Sequence, residues 1–261
     1  MLVKIESSDN NRIKLVRKLA NKKVRDQESK LVIEGINLVS EAVRRGVHVD
    51  FIMISESYSK NDFLTKCIDN DDITVCQISD NEFNKLTDAE NGVGILAVID
   101  KFDVNSQDVN ISSDGNILVL DKVQDPGNIG TMIRTAVAAG YEMVIAVKGT
   151  VDVFSAKVLR ATAGMIFDIP IMYVEDAAGL EKVLRGFGKK IVVTAVDSGT
   201  DYYKTNLDKG IALVIGNEGN GVSDEVMNMA DIRVTIPMRG EIESLNAAIS
   251  AAILMYETIR K

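Results

Sequence analysis

Residues 117–140 read ILVLDKVQDPGNIGTMIRTAVAAG. Four apolar residues, Ile117 to Leu120, make a run of strand length. Ten loop residues follow, with Pro126 and two glycines among them. Apolar side chains then recur at Ile129, Met132, Ile133, Ala136 and Val137, the spacing of one helical face, and Gly140 supplies a stop. Strand, polar loop and amphipathic helix in that order are the repeating unit of an α/β fold. Further apolar runs at residues 143–147, 191–196, 211–215 and 232–236 are almost uninterrupted, as strands of a parallel sheet covered on both faces would be. Near the C-terminus Leu245, Ala248, Ile249, Ala252, Ile253 and Tyr256 again follow helical spacing.

The chain before residue 101 reads differently. Asp9-Asn10-Asn11 offers helix caps ahead of Ile13, Val16, Leu19 and Ala20. Strands are expected at residues 31–33, 51–54, 73–78 and 94–99, and a helix at 36–45 stopped by Gly46. Residues 1–100 therefore predict a small α/β domain. Residues 101–115 (KFDVNSQDVNISSDG) lack periodicity and read as a linker, which leaves residues 116–261 as a second, larger α/β domain.

Composition narrows the function classes. Of 261 residues 46% are hydrophobic and 26% charged, a globular balance. Apolar runs such as residues 211–215 are far too short to span a membrane, and the first six residues contain no signal-peptide core. Cys67 and Cys76 make no disulfide framework, so free thiols in a reducing cytoplasm are expected. Net charge is −8, which argues against a polyanionic partner, but the charge is segregated. Residues 1–30 hold nine basic side chains against four acidic, whereas residues 51–100 hold three basic and ten acidic. The basic stretch is a solvated helix face or a phosphate-binding stripe; Arg12, Lys14, Lys18, Lys22 and Arg25 are its candidate contacts.

Open α/β sheets bind ligands at the carboxyl ends of their strands. Three loops there are unusual: residues 121–130 (DKVQDPGNIG), 216–221 (GNEGNG) and 237–246 (PMRGEIESLN). A P-loop needs Lys and Ser/Thr after its last glycine, but Val222 and Ser223 follow Gly221. A dinucleotide fingerprint from Gly219-x-Gly221 wants Gly or Ala where Asp224 stands. His48 is the only histidine and lies in the first domain, which disfavours a hydrolytic triad in the second. No HExxH, CxxC or carboxylate cluster at metal spacing is present, and no metal is expected.

Taken together, Asn128-x-Gly130-x-x-x-Arg134, Gly216-Asn217-Glu218-Gly219-x-Gly221, and Ile236-Pro237-Met238 with Ser244-Leu245-Asn246 resemble the three ordered motifs of the SpoU/TrmH methyltransferases of the SPOUT superfamily. The resemblance spans residue 117 to the C-terminus. Ser7/Ser8, Asn11, Ile13-Lys14, Leu19, Lys22, Arg25 and Val32-x-Glu34-Gly35 similarly resemble the opening of an L30e-like RNA-binding domain that precedes many members. Residues 88–93 (DAENGV) depart from it, lacking the proline usual there.

The resemblance implies a SPOUT-type parallel sheet with a C-terminal trefoil knot, S-adenosylmethionine as cofactor, a homodimer, and methylation of a ribose 2′-hydroxyl in RNA, ribosomal favoured over transfer RNA. A non-catalytic RNA-binding relative would be marked by loss of Arg134, Glu218 or Asn246, and all three are present. Arg134 is implied as stabiliser of the developing alkoxide or as base; a guanidinium normally stays protonated, which favours the first. Asn128 would orient substrate or Arg134, its alternative being a helix N-cap. Glu218 would tie the second motif to Arg134 or to a dimer mate. Gly216, Asn217, Ile236, Met238 and Leu245 would contact cofactor. Ser244 and Asn246 would combine capping with active-site hydrogen bonds, and Arg160 would meet RNA or merely solvent.

Overall fold

The computed structural model describes the chain except residues 59–60, 70–72, 88–93, 104–106, 197–198, 241–243 and 261. The departure at residues 88–93 thus lies outside the described residues. Two compact units result. The first comprises Met1–Lys101 with Phe154–Phe167, and the second Phe102–Val153 with Asp168–Lys261. The excursion of Phe154–Phe167 into the first unit has no counterpart in a division at residues 100 and 116.

In the first unit β1 (Leu2–Lys4) is followed by α1 (Asn11–Leu19), α2 (Lys22–Glu28), β2 (Lys30–Glu34), α3 (Ile36–Arg44) and β3 (Val49–Ser55). Then come α4 (Asp62–Asp69), β4 (Val75–Ile78), α5 (Asp80–Asn84) and β5 (Ile95–Asp100). The sheet order is β1-β4-β3-β5-β2; β5 runs antiparallel to both neighbours and the other pairs are parallel. The expected apolar face of α1 is buried through Ile13, Val16 and Leu19. Asn10 caps that helix by accepting from the Arg12 N–H. Cys67 and Cys76 are buried free thiols, each pushed up by burial.

Arg25 departs from the expected basic stripe. It is only 7% exposed, and its guanidinium donates to the Leu19 and Ala20 carbonyls at 2.8 Å each. Those carbonyls end α1 without intrahelical partners, so the cation completes a helix terminus instead of facing RNA. Arg160 is likewise engaged. It sits on a helix (Ala156–Ala161) of the excursion, and its guanidinium donates to buried Glu34 at 2.8 Å. Glu34 also accepts from the Thr87 hydroxyl.

In the second unit β6 (Ile117–Leu120) and α6 (Pro126–Ala138) match the opening stretch, and β7 (Met143–Val147) matches the next apolar run. The helix of the excursion is α7. After it come β8 (Ile171–Val174), α8 (Ala177–Gly186), β9 (Lys190–Thr194), β10 (Thr200–Asp201), β11 (Ile211–Ile215), α9 (Asp224–Asn228), β12 (Ile232–Thr235) and α10 (Ala247–Glu257). All seven strands are parallel, in the order β10-β12-β9-β11-β6-β7-β8. Every residue of β6, β7 and β11 is buried, which is why these strands read as unbroken apolar runs. Two strands went unread: β8, a four-residue segment behind Pro170, and the two-residue β10.

The expected linker is anchored. Ile111 joins the core, and the Lys189 ammonium, 2% exposed, donates to the Ser112 and Ser113 carbonyls. Among the described residues no helix is long and apolar enough to cross a membrane.

Candidate active site

The carboxyl edge of the parallel sheet gathers the three loops singled out in the sequence. Loop one leaves β6 and enters α6. Asp125 is the N-cap: its Oδ1 accepts from the Asn128 N–H at 2.8 Å, and Pro126 opens the helix. Proline has no N–H to satisfy and favours the first helical position, which puts the cap one residue earlier. Asn128 is therefore the capped residue, not the cap, and its side chain is available for other bonds.

Loop two follows β11 and closes on itself. Asn217 and Gly221 exchange backbone hydrogen bonds (2.9 and 2.8 Å), and Asn217 Oδ1 accepts from the Gly219 and Asn220 N–H groups at 3.0 Å each. Gly216 is packed so tightly that a Cβ there would lie 2.2 Å from the backbone of Gly221 and Val222. The base of the loop is tied to β6: the Asp121 N–H donates to the Ile215 carbonyl (2.9 Å), and fully buried Asp121 accepts from the Ser223 N–H (2.7 Å). Sequence reading missed this role of Asp121, which looked like an ordinary loop carboxylate.

The closed loop aims Glu218 at loop one. Its carboxylate accepts from the Gln124 N–H (2.9 Å), the Asp125 N–H (3.0 Å) and Asn128 Nδ2 (3.0 Å). Partial burial raises this carboxyl, but the bonds from Asn128 and the two backbone amides outweigh it and hold the group below the usual glutamate range. Loop three ends at Asn246, the N-cap of α10, whose Oδ1 accepts from the Ala248 (2.9 Å) and Ile249 (3.2 Å) N–H groups. Asn246 Nδ2 donates to Asn128 Oδ1 at 2.9 Å. A line of side chains, Glu218–Asn128–Asn246, thus joins all three loops.

Beside this line lies a cavity of about 350 Å³, within the range of small-ligand sites. Nine residues of the motifs read in the sequence line it: Gly216, Asn217, Glu218, Gly219, Gly221, Ile236, Met238, Ser244 and Leu245. Asn246 does not; it holds Asn128 and starts α10. Sequence reading missed Thr194 at the end of β9, Ala195 and Val196 just past it, and Ser250 and Leu254 on α10, which line the cavity too. A strand end without glycine or charge leaves no motif to find. The walls are largely apolar or amide-bearing, and Glu218 is the only charged side chain among the described lining residues.

Arg134 is exposed on α6 and makes no hydrogen bond or ion pair among the described residues. The expected tie from Glu218 to Arg134 is therefore not made within one chain, because the amides of loop one occupy the carboxylate. In the first unit Lys14 pairs with Asp9 at 3.1 Å, Arg12 lies 5.6 Å over the Phe51 ring, and Lys18 and Lys22 are exposed. The fold also builds a cluster that linear spacing did not reveal. His48, Asp50 and Asp100 bring ligand atoms within 4.8 Å of one another, but the Lys30 ammonium contacts both aspartates at 2.8–2.9 Å and fills the position of a cation.

Comparison with known proteins places this geometry. Residues 115–256 match the SpoU rRNA Methylase family, and residues 10–97 match the MRM3-like substrate binding domain. The chain is 34% identical over 253 residues to the 23S rRNA (guanosine(2553)-2'-O)-methyltransferase RlmP of Bacillus subtilis, covering 97% of each chain. A solved rRNA methyltransferase of Sinorhizobium meliloti with AdoMet bound superposes with a TM-score of 0.85 at 29% identity, over 98% of this chain and 97% of that one. A solved RNA 2'-O ribose methyltransferase gives a TM-score of 0.82 at 28% identity, covering 98% of both.

The packing at Gly216 generates a direct expectation. In Gly216→Ala the new Cβ meets main chain, which cannot rotate away, so loop two must shift and draw Glu218 off loop one. Stability should fall by about 1–3 kcal/mol and affinity for S-adenosylmethionine by at least roughly tenfold, read by urea denaturation and calorimetric titration. Unchanged affinity would show that loop two does not shape the cavity.

Proposed function

The chain belongs to the SpoU rRNA Methylase family, and on that premise we propose that it transfers the methyl group of S-adenosylmethionine to a ribose 2′-hydroxyl of structured RNA, with ribosomal RNA as its substrate class. The observation that carries this reading is the charge of the cavity. Its described lining residues include one carboxylate, Glu218, and no cation. A sulfonium finds a counter-charge there, whereas the phosphates of a dinucleotide would meet repulsion. The apolar floor suits an adenosine ring, and the volume suits a ligand of that size. The MRM3-like substrate binding domain at residues 10–97 and the ribosomal substrate named for the Bacillus subtilis relative favour ribosomal over transfer RNA.

Bound S-adenosylmethionine supplies a methyl group already activated for transfer by its sulfonium. The protein's task is then alignment and management of the hydroxyl proton. Asn128, held between Glu218 and Asn246, is fixed in orientation and positions the substrate. Arg134 offers a guanidinium that stays protonated and stabilises the alkoxide as it develops. Gly216, Ile236 and Leu245 contact the cofactor through their backbone, with Met238 packed beside it. Lys14, Lys18 and Lys22 extend the RNA contact on the first unit.

Two subunits complete the site in this reading. Arg134 does not line its own chain's cavity. The neighbouring helix α10 is apolar on two sides: Ala248, Ala251, Leu254 and Met255 are buried, yet Ile249 and Tyr256 are 52% and 51% exposed. A helix apolar all round belongs in an interior, and a second copy across α10 supplies one. The trefoil knot belongs to the same reading. Strand β10, in the connection between β9 and β11, pairs with the outer edge of β12, an order in keeping with such a knot. The buried free thiols are in keeping with a cytoplasmic protein.

Purified protein with S-adenosylmethionine should methylate ribose in unmodified ribosomal RNA, at one nucleotide mapped by resistance to alkaline cleavage. Arg134→Ala should bind cofactor within a few-fold of normal and lose most turnover. Absence of cofactor binding with and without RNA would sink the enzyme reading, and normal turnover in Arg134→Ala would remove that residue's role. Ile249→Glu should sediment as a monomer and lose methyl transfer; a wild-type monomer with full activity would contradict the two-subunit site.

A further inference from the structure

Three described residues other than glycine have a left-handed backbone: Ser29 (φ +51°), Lys122 (φ +58°) and Ala163 (φ +49°). Ser29 is the C-cap of α2, and Ala163 follows Thr162, the C-cap of α7. Past a helix end that conformation is ordinary, since it lets the last carbonyls find donors. Lys122 has no helix behind it. It lies two residues beyond β6, in loop one, where glycine or asparagine would adopt the same conformation with less strain.

The surroundings hold this backbone from both sides. The Lys122 N–H donates to Thr150 Oγ1 (3.0 Å), while its carbonyl accepts from Gln124 Nε2 (3.0 Å) and Asn217 Nδ2 (3.0 Å). Thr150 is itself fixed by donating to the Leu120 carbonyl (2.9 Å). The side chain is guided as well. It passes over Gly149, where a Cβ would lie 3.0 Å from Lys122 Cγ, so glycine there lets the side chain pass closely. Yet Lys122 is exposed, and its ammonium makes no hydrogen bond or ion pair among the described residues. The backbone contacts thus hold Lys122 in a strained conformation, yet none of them engages its charge; a cation carried on an over-determined backbone and left without an internal partner is available to a ligand.

Position says which ligand. Through Asn217 the Lys122 backbone is bonded to loop two, the wall of the cavity, although Lys122 does not line the cavity itself. Lys122 therefore springs from backbone tied to the rim of the methyl-donor site, and its cation lies outside the space for the donor. The geometry points to Lys122 as a positioning contact for the RNA: its ammonium takes a phosphate beside the acceptor ribose and sets that ribose over the cavity. This rests on the RNA methyltransferase reading above.

Lys122→Gly tests the assignment sharply, because it relieves strain while removing the cation. Its melting temperature should equal or exceed that of the wild type, with S-adenosylmethionine affinity within twofold. KM for RNA should rise roughly fivefold at low salt, the upper end of what an exposed ion pair contributes. The slope of log affinity for RNA against log salt should become shallower by about 0.7–0.9, the signature of one phosphate lost. Lys122→Arg, which keeps the charge, should restore most of the KM. Unchanged RNA KM and salt slope in Lys122→Gly would overturn the proposal. So would a fall in cofactor affinity without a change in RNA KM, since the anion would then be the cofactor's carboxylate. A wild-type protein that methylates no RNA would instead overturn the functional reading, so the two failures are distinguishable.

Discussion

The Glu218 carboxylate accepts three hydrogen bonds from loop one, two of them from the main-chain N–H groups of Gln124 and Asp125 just ahead of α6. A negative charge is well placed there, because the helix N-terminus presents unpaired donors and the positive end of its dipole. Those bonds also hold the group below the usual glutamate range, so the clamp between the loops and the one charged residue among the described lining of the cavity are one feature. Asn128 passes the constraint on. With one end of its amide on Glu218 and the other on Asn246, it joins loop two to the cap of α10. Loops far apart in sequence become one rigid rim, and rigidity of that kind is what alignment of a methyl donor with a hydroxyl requires.

Charge then divides the labour. The cavity has a carboxylate and no described cation, while cations stand outside it at Lys122 and Arg134 and on the first unit at Lys14, Lys18 and Lys22. Under the proposed function a cationic donor is received inside and a polyanionic acceptor outside, which reconciles a net charge of −8 with an RNA substrate.

Much of this was legible before the structure. The unbroken apolar runs of β6, β7 and β11 announced a parallel sheet, since strands covered on both faces cannot alternate. Loops with Gly216, Asn128 and Asn246 stood out because tight turns and caps demand particular residues. What stayed hidden were relations that no linear pattern encodes. Asp121 reads as a loop acid, but its carboxylate is buried against Ser223, 102 residues later. Arg25 reads as one cation among nine, but burial turns it inward onto the end of α1. The His48, Asp50 and Asp100 cluster exists only because β3 and β5 pair across the first sheet. Thr194, Ala195 and Val196 line the cavity through position alone.

The central claim is that Asn128 couples the second and third loops, so that the cavity forms as a unit. A double-mutant cycle on Glu218→Ala and Asn246→Ala, read as the dissociation constant of S-adenosylmethionine, tests it most directly. If the coupling is real, each single change weakens binding, and the double variant is no worse than the poorer single by more than about twofold, which is a coupling free energy on the order of 1 kcal/mol. Strictly multiplicative losses would contradict it, for they would show two loops acting independently with Asn128 merely lying between them.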